Sequence, residues 1–218
     1  LVNDHWQPEA IETLMRSSVE EQWELFSLLI TKLKEKHAAG VLIDWEQIDP
    51  TYSKQLVATL SLLKKQLAEH NLELWLCVPV GNDISVFDLD ALAPVVDRFV
   101  AMLYDETGDI DTPGPVASLS WFNEWMNALL LHSKNSQWII GLGAYGYDWT
   151  KDKAASTSSF REVMTRAGYT KLGAIADGPP YDGLHFSYQD KLQEHSVWFL
   201  DAISFRNQRE MARKAGVG

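Results

Sequence analysis

The sequence predicts an α/β fold organised around a parallel sheet. Three observations carry that prediction. Short runs such as Gly40 to Trp45 and Leu74 to Val78 are apolar on both faces, as strands buried on two sides must be. They alternate with longer segments in which apolar residues recur every three or four positions, the spacing of a helix with one buried face. No internal repeat, low-complexity tract or linker interrupts the alternation, so one domain with right-handed crossovers is expected over residues 1 to 218.

Taken in order, residues 1 to 7 read as a strand exit or loop, and Pro8 opens a short helix to about Met15. Ser17-Ser18-Val19-Glu20-Glu21 is an N-cap signal with acids in the first turn. Trp23, Phe26, Leu29, Ile30 and Leu33 give the helix that follows, to about His37, one apolar stripe that belongs to the core. After a strand at 40 to 45 come a helix from Thr51 to Ala68 and a strand from Glu73 to Val80, ended by Pro79. Asp88 to Val96 reads as helix, Arg98 to Leu103 as strand, Leu119 to Leu131 as helix and Gln137 to Leu142 as strand. A helix at 158 to 167, strands near 184 to 187 and 197 to 202, and a helix from Ser204 to Lys214 complete the pattern. The polar stretch Asp148 to Ser159 reads as an insertion or flexible loop.

Composition narrows the function. With 218 residues, 46% of them hydrophobic, the chain can bury a real core. Asp and Glu outnumber Lys and Arg by 30 to 19, and no basic cluster offsets the negative field, so nucleic acid is not an expected partner. No apolar run approaches the roughly 18 to 20 residues that cross a bilayer, so membrane insertion by this chain is not expected. Leu1, without a Met, suggests a mature or excised piece of a longer protein. The lone Cys77 sits in a buried-strand pattern and reads as core, which excludes an internal disulfide or cysteine metal site. His5, His37, His70, His132, His185 and His195 show no paired-ligand spacing, so neither metal nor cofactor is expected.

Chemistry concentrates at strand ends. In Gly40-Val41-Leu42-Ile43-Asp44-Trp45-Glu46, alternation puts Leu42, Asp44 and Glu46 on one face and Val41, Ile43 and Trp45 on the other. Same-face neighbours lie roughly 6 to 7 Å apart along a strand, close enough for one carboxylate to raise the pKa of the other and leave a general acid near neutral pH. The same residues also fit a plain loop start, Glu46-Gln47-Ile48-Asp49-Pro50, capping the next helix. Met102-Leu103-Tyr104-Asp105 brings a phenol and a carboxylate to a second strand end, which fits either a pocket shared with Glu46 or an ordinary strand-to-loop transition.

Three other patterns point elsewhere. Gly141-Leu142-Gly143-Ala144-Tyr145-Gly146 matches GxGxxG after a strand, but Tyr147-Asp148-Trp149-Thr150-Lys151-Asp152 is no helix start, so a dinucleotide site is not expected. Asp88-x-Asp90 and Asp109-x-Asp111 have the spacing of metal-binding acid pairs yet fit a helix start and an acidic turn. Among the aromatics, Trp6, Trp45, Trp75, Trp121, Trp125, Trp138 and Trp198 read mostly as core. Tyr145, Tyr147 and Trp149 instead follow a strand in a segment read as loop, where partly exposed rings suit the apolar faces of sugars.

In this order the carboxylate strand, the Met-x-Tyr-Asp strand and the Tyr-Gly strand end resemble the family 18 glycoside hydrolases. The family signature reads Asp-x-x-Asp-x-Asp-x-Glu, and Ala39, Leu42, Asp44 and Glu46 occupy its four places; the last two match. Met102, Tyr104 and Asp105 match a later strand motif and Tyr145-Gly146 the next, while Val197-Trp198-Phe199 with Asp201 and Ser204 resembles the segment before the last strand. Pro113-Gly114-Pro115 and Tyr145-Gly146-Tyr147-Asp148-Trp149 bring the resemblance nearest to modules of bacterial cell-envelope proteins, some joined to polysaccharide deacetylase or glycosyltransferase domains.

The resemblance implies a (β/α)8 TIM-barrel fold of which this chain holds part, because the signature of the fourth strand begins near residue 40 and the chain stops at Gly216-Val217-Gly218. It implies a retaining glycosidase in which the acetamido oxygen of an N-acetylated glycan attacks the anomeric carbon. Glu46 would be general acid and then base, with Asp44 and Tyr104 stabilising the oxazolinium. Asp105, Met102, Tyr145, Tyr147 and Trp149 would bind substrate, at an extracytoplasmic location. Leu42 stands where the family has an Asp that shares a proton with Asp44, so an apolar neighbour is expected to desolvate Asp44 and slow turnover. With Ala39, this leaves a second reading, a non-catalytic glycan-binding or scaffolding module.

Overall fold

A computed structural model describes residues 7–108, 112–151, 153–170, 175–176, 183–190 and 193–217. Expectations for residues 1 to 6, including His5 and Trp6, for Asp109 to Asp111, for Asp152 and for Gly218 lie outside the described residues. The chain divides into a first unit, residues 1–102 with 129–139, and a second, residues 103–128 with 140–218. Among the described residues no helix is long and apolar enough to cross a membrane.

In the first unit, α1 (Pro8–Arg16) begins on its proline, and α2 (Val19–Glu35) begins on the predicted capping box. The Glu21 N–H donates to Ser18 Oγ at 3.2 Å while the Ser18 N–H donates to the Glu21 carboxylate at 2.9 Å. Then follow β1 (Gly40–Ile43), a single turn of tighter helix at Pro50–Tyr52, α3 (Ser53–Glu69), β2 (Glu73–Val78), α4 (Leu89–Leu92), β3 (Arg98–Met102) and, later in the chain, the first half of β4 (Trp138–Gly141). The sheet runs β1-β2-β3-β4, with β1, β2 and β3 parallel. Gly40 is required where β1 approaches β2, since a Cβ there would lie 2.2 Å from the Glu73 carbonyl oxygen.

One face of this sheet is dry. Ile43, Leu74, Leu76, Val78, Phe99 and Ala101 are buried; α3 packs on β2, and α2 on α3. Leu56, Leu60, Leu63 and Leu67 of α3 are fully buried, and Phe26 and Ile30 are the predicted α2 stripe. Asp97 fixes the layer spacing: its carboxylate accepts from Lys64 Nζ on α3 at 2.6 Å and from the Leu74 N–H on β2 at 2.7 Å. The helix expected to reach Val96 stops at Leu92. Asp88 caps it, accepting from the Ala91 N–H, and Asp90 pairs with His132 at 2.9 Å.

The second unit corrects two expectations. It holds most of α5 (Leu119–Leu129), β5 (Tyr145–Thr150), β6 (Ser156–Ser159), α6 (Phe160–Thr170), β7 (Ile175–Ala176), β8 (Leu184–Asp190), β9 (Gln193–Phe199) and α7 (Ala202–Lys214). Its sheet runs β6-β5-β9-β8-β7 with antiparallel pairings, not parallel ones. The segment Asp148 to Ser159, expected as a loop, is the end of β5 and the edge strand β6. An edge strand needs few apolar residues, and of Ser156-Thr157-Ser158-Ser159 only Ser158 is buried, so no hydrophobic period announces it.

Asp148 disguised β5 as well, because a carboxylate is a poor strand marker until its partners are known. It is 5% exposed and accepts from Arg166 Nη1 on α6 at 2.9 Å, Tyr188 Oη on β8 at 2.8 Å and His195 Nδ1 on β9 at 2.7 Å. Arg166 also reaches Ser158 Oγ at 2.6 Å, which ties in β6. Burial, followed by the hydrogen bond to Asp148, pushes the Tyr188 phenol up to about 12. Removing one member of a buried charge network strands the others. Asp148→Ala is therefore expected to lose about 3 kcal/mol of stability in a urea melt followed by tryptophan fluorescence, and Tyr188→Phe roughly 1 kcal/mol.

Candidate active site

In the first unit, a group of candidate residues is built by parallel register. β1 and β2 pair Leu42 with Trp75 and Ile43 with Leu76, and β2 pairs Cys77 with Val100 of β3. Carried one residue on, the register sets Asp44 beside Cys77 on the face away from the helices, with Leu42 and Trp75 one level below. Asp44 is exposed and Glu46 partly exposed, while Cys77 is buried at 5%. Both carboxylates act on the thiol. Burial first, then the Asp44 charge and its hydrogen-bond acceptance, then the Glu46 charge push Cys77 up to about 12.

The strand expected at 40 to 45 ends at Ile43, so Asp44 and Glu46 lie in the segment that follows it, as the plain-loop alternative has them. The cap of the helix start is Asp49, whose carboxylate accepts from the Thr51 N–H at 2.8 Å and Thr51 Oγ at 2.6 Å. Directly after Glu46, Gln47 takes φ +56°, a left-handed conformation that costs a non-glycine residue energy and is concentrated at functional strand ends. Leu42 is 48% exposed, so the expected desolvation of Asp44 by Leu42 is not what this face provides. What Leu42 does withhold is a polar partner. Met102 closes β3 and is buried.

The second unit carries a group of its own. Tyr104 and Asp105 follow β3, and Asp105 also sits in the left-handed region, at φ +62°. Its carboxylate accepts from the Tyr145 hydroxyl and from Tyr147 Oη, the latter at 2.9 Å. The rings form a ladder: Tyr104 and Tyr145 meet edge to face at 6.2 Å, Tyr145 and Tyr147 at 5.5 Å, and Tyr147 leans on Trp149 at 5.3 Å. Gly143 permits this approach, because a Cβ there would lie 3.2 Å from Tyr104 Cβ. Burial, then the hydrogen bond to Asp105, holds the Tyr145 phenol well above its ordinary range.

These tyrosines do not stand in a loop. They are alternate residues of β5, which places them on one face. Tyr145 is partly exposed as expected, whereas Tyr147 is buried at 9% and Trp149 at 3%, inside a cluster with Val116, Ala117, Trp198 and Leu200. The Gly141 to Gly146 motif runs into this strand rather than a helix, so it lacks the helix N-terminus a pyrophosphate needs. Gly146 is instead a packing requirement, since a Cβ would meet the Trp198 carbonyl oxygen at 2.5 Å.

Sequence reasoning passed over two residues. Glu106 fixes the loop after Asp105: its N–H donates to the Val116 carbonyl at 2.9 Å and its carboxylate accepts from the Ser118 N–H and Oγ. Burial raises its pKa, and the Ser118 hydrogen bonds oppose that. Cys77 read as core because its own strand is apolar; only the register with β1 reveals its acidic neighbours. Among the described residues no group of three or more His, Cys, Asp or Glu side chains is placed to hold a metal ion.

Comparison with known proteins bears on family and fold. A model described as Glycosyl hydrolases family 18 matches residues 11–218. "Uncharacterized glycosylase YvbX" of Bacillus subtilis is 27% identical over 196 residues, 85% of this chain and 57% of its own. The crystal structure of the "putative sporulation-specific glycosylase ydhD" of Bacillus subtilis superposes with a TM-score of 0.92 at 22% identity, over all of this chain and 74% of that one. A chitinase from Chromobacterium violaceum gives 0.90 at 20% identity, over all of this chain and 70% of that one. The chain spans about half the length of the curated relatives it matches, 57% and 44%. Family and neighbours agree on the α/β, (β/α)8-type fold.

The geometry around Asp105 makes a direct forecast. Asp105→Asn removes the negative charge that Tyr145 faces while keeping an oxygen acceptor, so the Tyr145 hydroxyl should ionise at a lower pH than in the parent protein. An ultraviolet pH titration, with Tyr145→Phe identifying the contribution of that ring, checks it.

Proposed function

The chain belongs to glycosyl hydrolase family 18, and from that premise we propose that it hydrolyses a polysaccharide containing N-acetylglucosamine, with retention and with help from the substrate. The observation that carries the reading is the pair Asp44 and Glu46, which follow the end of β1 and both act on the Cys77 thiol. Glu46 protonates the glycosidic oxygen as the acetamido oxygen attacks the anomeric carbon, the leaving sugar departs, and a cyclic oxazolinium remains. Glu46 then takes a proton from water, which attacks the same carbon and restores the acetamide. Asp44 orients the acetamide N–H and balances the positive charge that develops on the ring.

The remaining assignments follow the family motif. Tyr104 donates to the acetamide oxygen, and Asp105 binds a sugar hydroxyl or the acetamide. Tyr145, partly exposed, is available to a sugar. Tyr147 acts through its hydrogen bond to Asp105, while the burial of Trp149 and Met102 gives them the task of shaping the wall. The sporulation and chitinase neighbours support an extracytoplasmic, cell-envelope glycan as substrate. A second reading, a glycan-binding module without hydrolysis, is favoured by Ala39 and Leu42 at two of the four signature places.

Mass-spectrometric detection of products from β-1,4- and β-1,6-linked N-acetylglucosamine oligomers separates the two. Cleavage by the parent protein, reduced at least about a hundredfold in Glu46→Gln, is the expected outcome. Binding without cleavage, with unchanged affinity in Glu46→Gln, would establish the binding module instead. Leu42→Asp is expected to raise turnover by restoring a polar same-strand neighbour to Asp44, and no gain in a folded variant counts against the role given to Asp44.

A further inference from the structure

We propose that Cys77 is a positioning residue for Asp44: its S–H donates across the sheet to the Asp44 carboxylate and does the work for which the neighbouring place on β1, Leu42, offers no polar group. The inference rests on the reading of Asp44 and Glu46 given above, and it concerns a residue outside the family signature.

Three observations combine. The parallel register pairs Ile43 with Leu76, and carried one residue on it sets Cys77 level with Asp44 and on the same face. Partners on adjacent strands are about 4.8 Å apart, whereas the same-face neighbour two residues back along a strand is about 6 to 7 Å away. Cys77 is therefore nearer to Asp44 than any side chain at position 42 would begin. Second, Cys77 is buried while Asp44 is exposed, so the thiol is held by packing and can in turn hold the exposed carboxylate. Third, the thiol, pushed up to about 12 by burial and then by Asp44 and Glu46, keeps its proton at neutral pH and so has a hydrogen to donate.

The other uses of a cysteine fit poorly. A nucleophile needs the thiolate and a positive environment, and the charged groups that act on Cys77 are Asp44 and Glu46, both negative. On β3 its partner is Val100, which brings no charge. A residue that only fills space is the remaining alternative, and it makes different forecasts.

Two measurements decide. Because Cys77 is the lone cysteine in the sequence, the Raman S–H stretch of the protein reports this thiol alone. In the parent protein the band is expected at the low wavenumber of a donating thiol, and in Asp44→Ala it is expected to move up. Coincident bands overturn the proposal, whether or not the protein cleaves glycans. In the cleavage assay, Cys77→Ala should lower kcat on the order of tenfold with KM little changed. Cys77→Ser, which keeps a donor, should stay within about threefold of the parent, and Leu42→Asp should restore activity to Cys77→Ala. Equal losses in the Ala and Ser variants, both folded by circular dichroism, would make Cys77 a packing residue. Absence of Glu46-dependent cleavage in the parent would remove the enzymatic reading, while the Raman comparison would still decide the contact.

Discussion

Register across three parallel strands is the constraint on which the first unit and its chemistry depend. Because partners in a parallel sheet point the same way, Ile43, Leu76 and Phe99 form one dry level and Asp44, Cys77 and Val100 form the next, on the opposite face. A slip of β1 by one residue would drive Asp44 into the helix layer and lift Ile43 out of it. Burying an unpaired carboxylate costs several kcal/mol, so the core enforces the placement of the acids. Gly40 against Glu73, and Asp97 bonded to both α3 and β2, lock the same alignment from its other end.

The second unit solves a related problem with a single antiparallel strand. Odd-numbered residues of β5 turn the tyrosine ladder toward Asp105, while the even-numbered Asp148 faces Arg166, Tyr188 and His195. The two carboxylates differ in what their neighbours ask of them. Asp148 is buried, paired with the Arg166 guanidinium and hydrogen-bonded by Tyr188 and His195, the arrangement that makes a charge tolerable in low dielectric and cross-links β5, β6, β8, β9 and α6. Asp105 is exposed, in a left-handed backbone conformation, and receives neutral phenols. Neutral donors orient a carboxylate without cancelling its charge, which suits a residue that meets a polar ligand.

The parallel half of the fold was legible because its strands are apolar on both faces and its helices carry clear caps and stripes; Ser18 with Glu21 and Asp88 ahead of Leu89 stand where the sequence put them. The antiparallel half was not. Its edge strand is made of serines and threonines, and its central strand carries a carboxylate, so the period-two signal of β5 was masked by a residue whose partners lie 18 to 47 positions away. For the same reason Tyr147 and Trp149 looked like loop aromatics although they are core on one face. Asp44 with Glu46, and Tyr104 with Asp105, were visible as strand-end motifs, because alternation within one strand is a local property. Cys77 was invisible as a partner, because alignment between strands is not.

That difference bears on how the signature strand can vary. A carboxylate at a strand end has two same-face neighbours: one two residues back on its own strand, and one level with it on the adjacent strand. Only the first is written into a linear motif. Leu42 removes the polar group from the first position, and Cys77 supplies one at the second, at the shorter of the two spacings. A thiol is a weaker donor than a carboxylic acid, so it orients Asp44 without offering it a proton to share. The expected consequence is a site in which the geometry of Asp44 is kept and the exchange of a proton with a neighbouring acid is lost, which separates two functions that a single aspartate at position 42 would join.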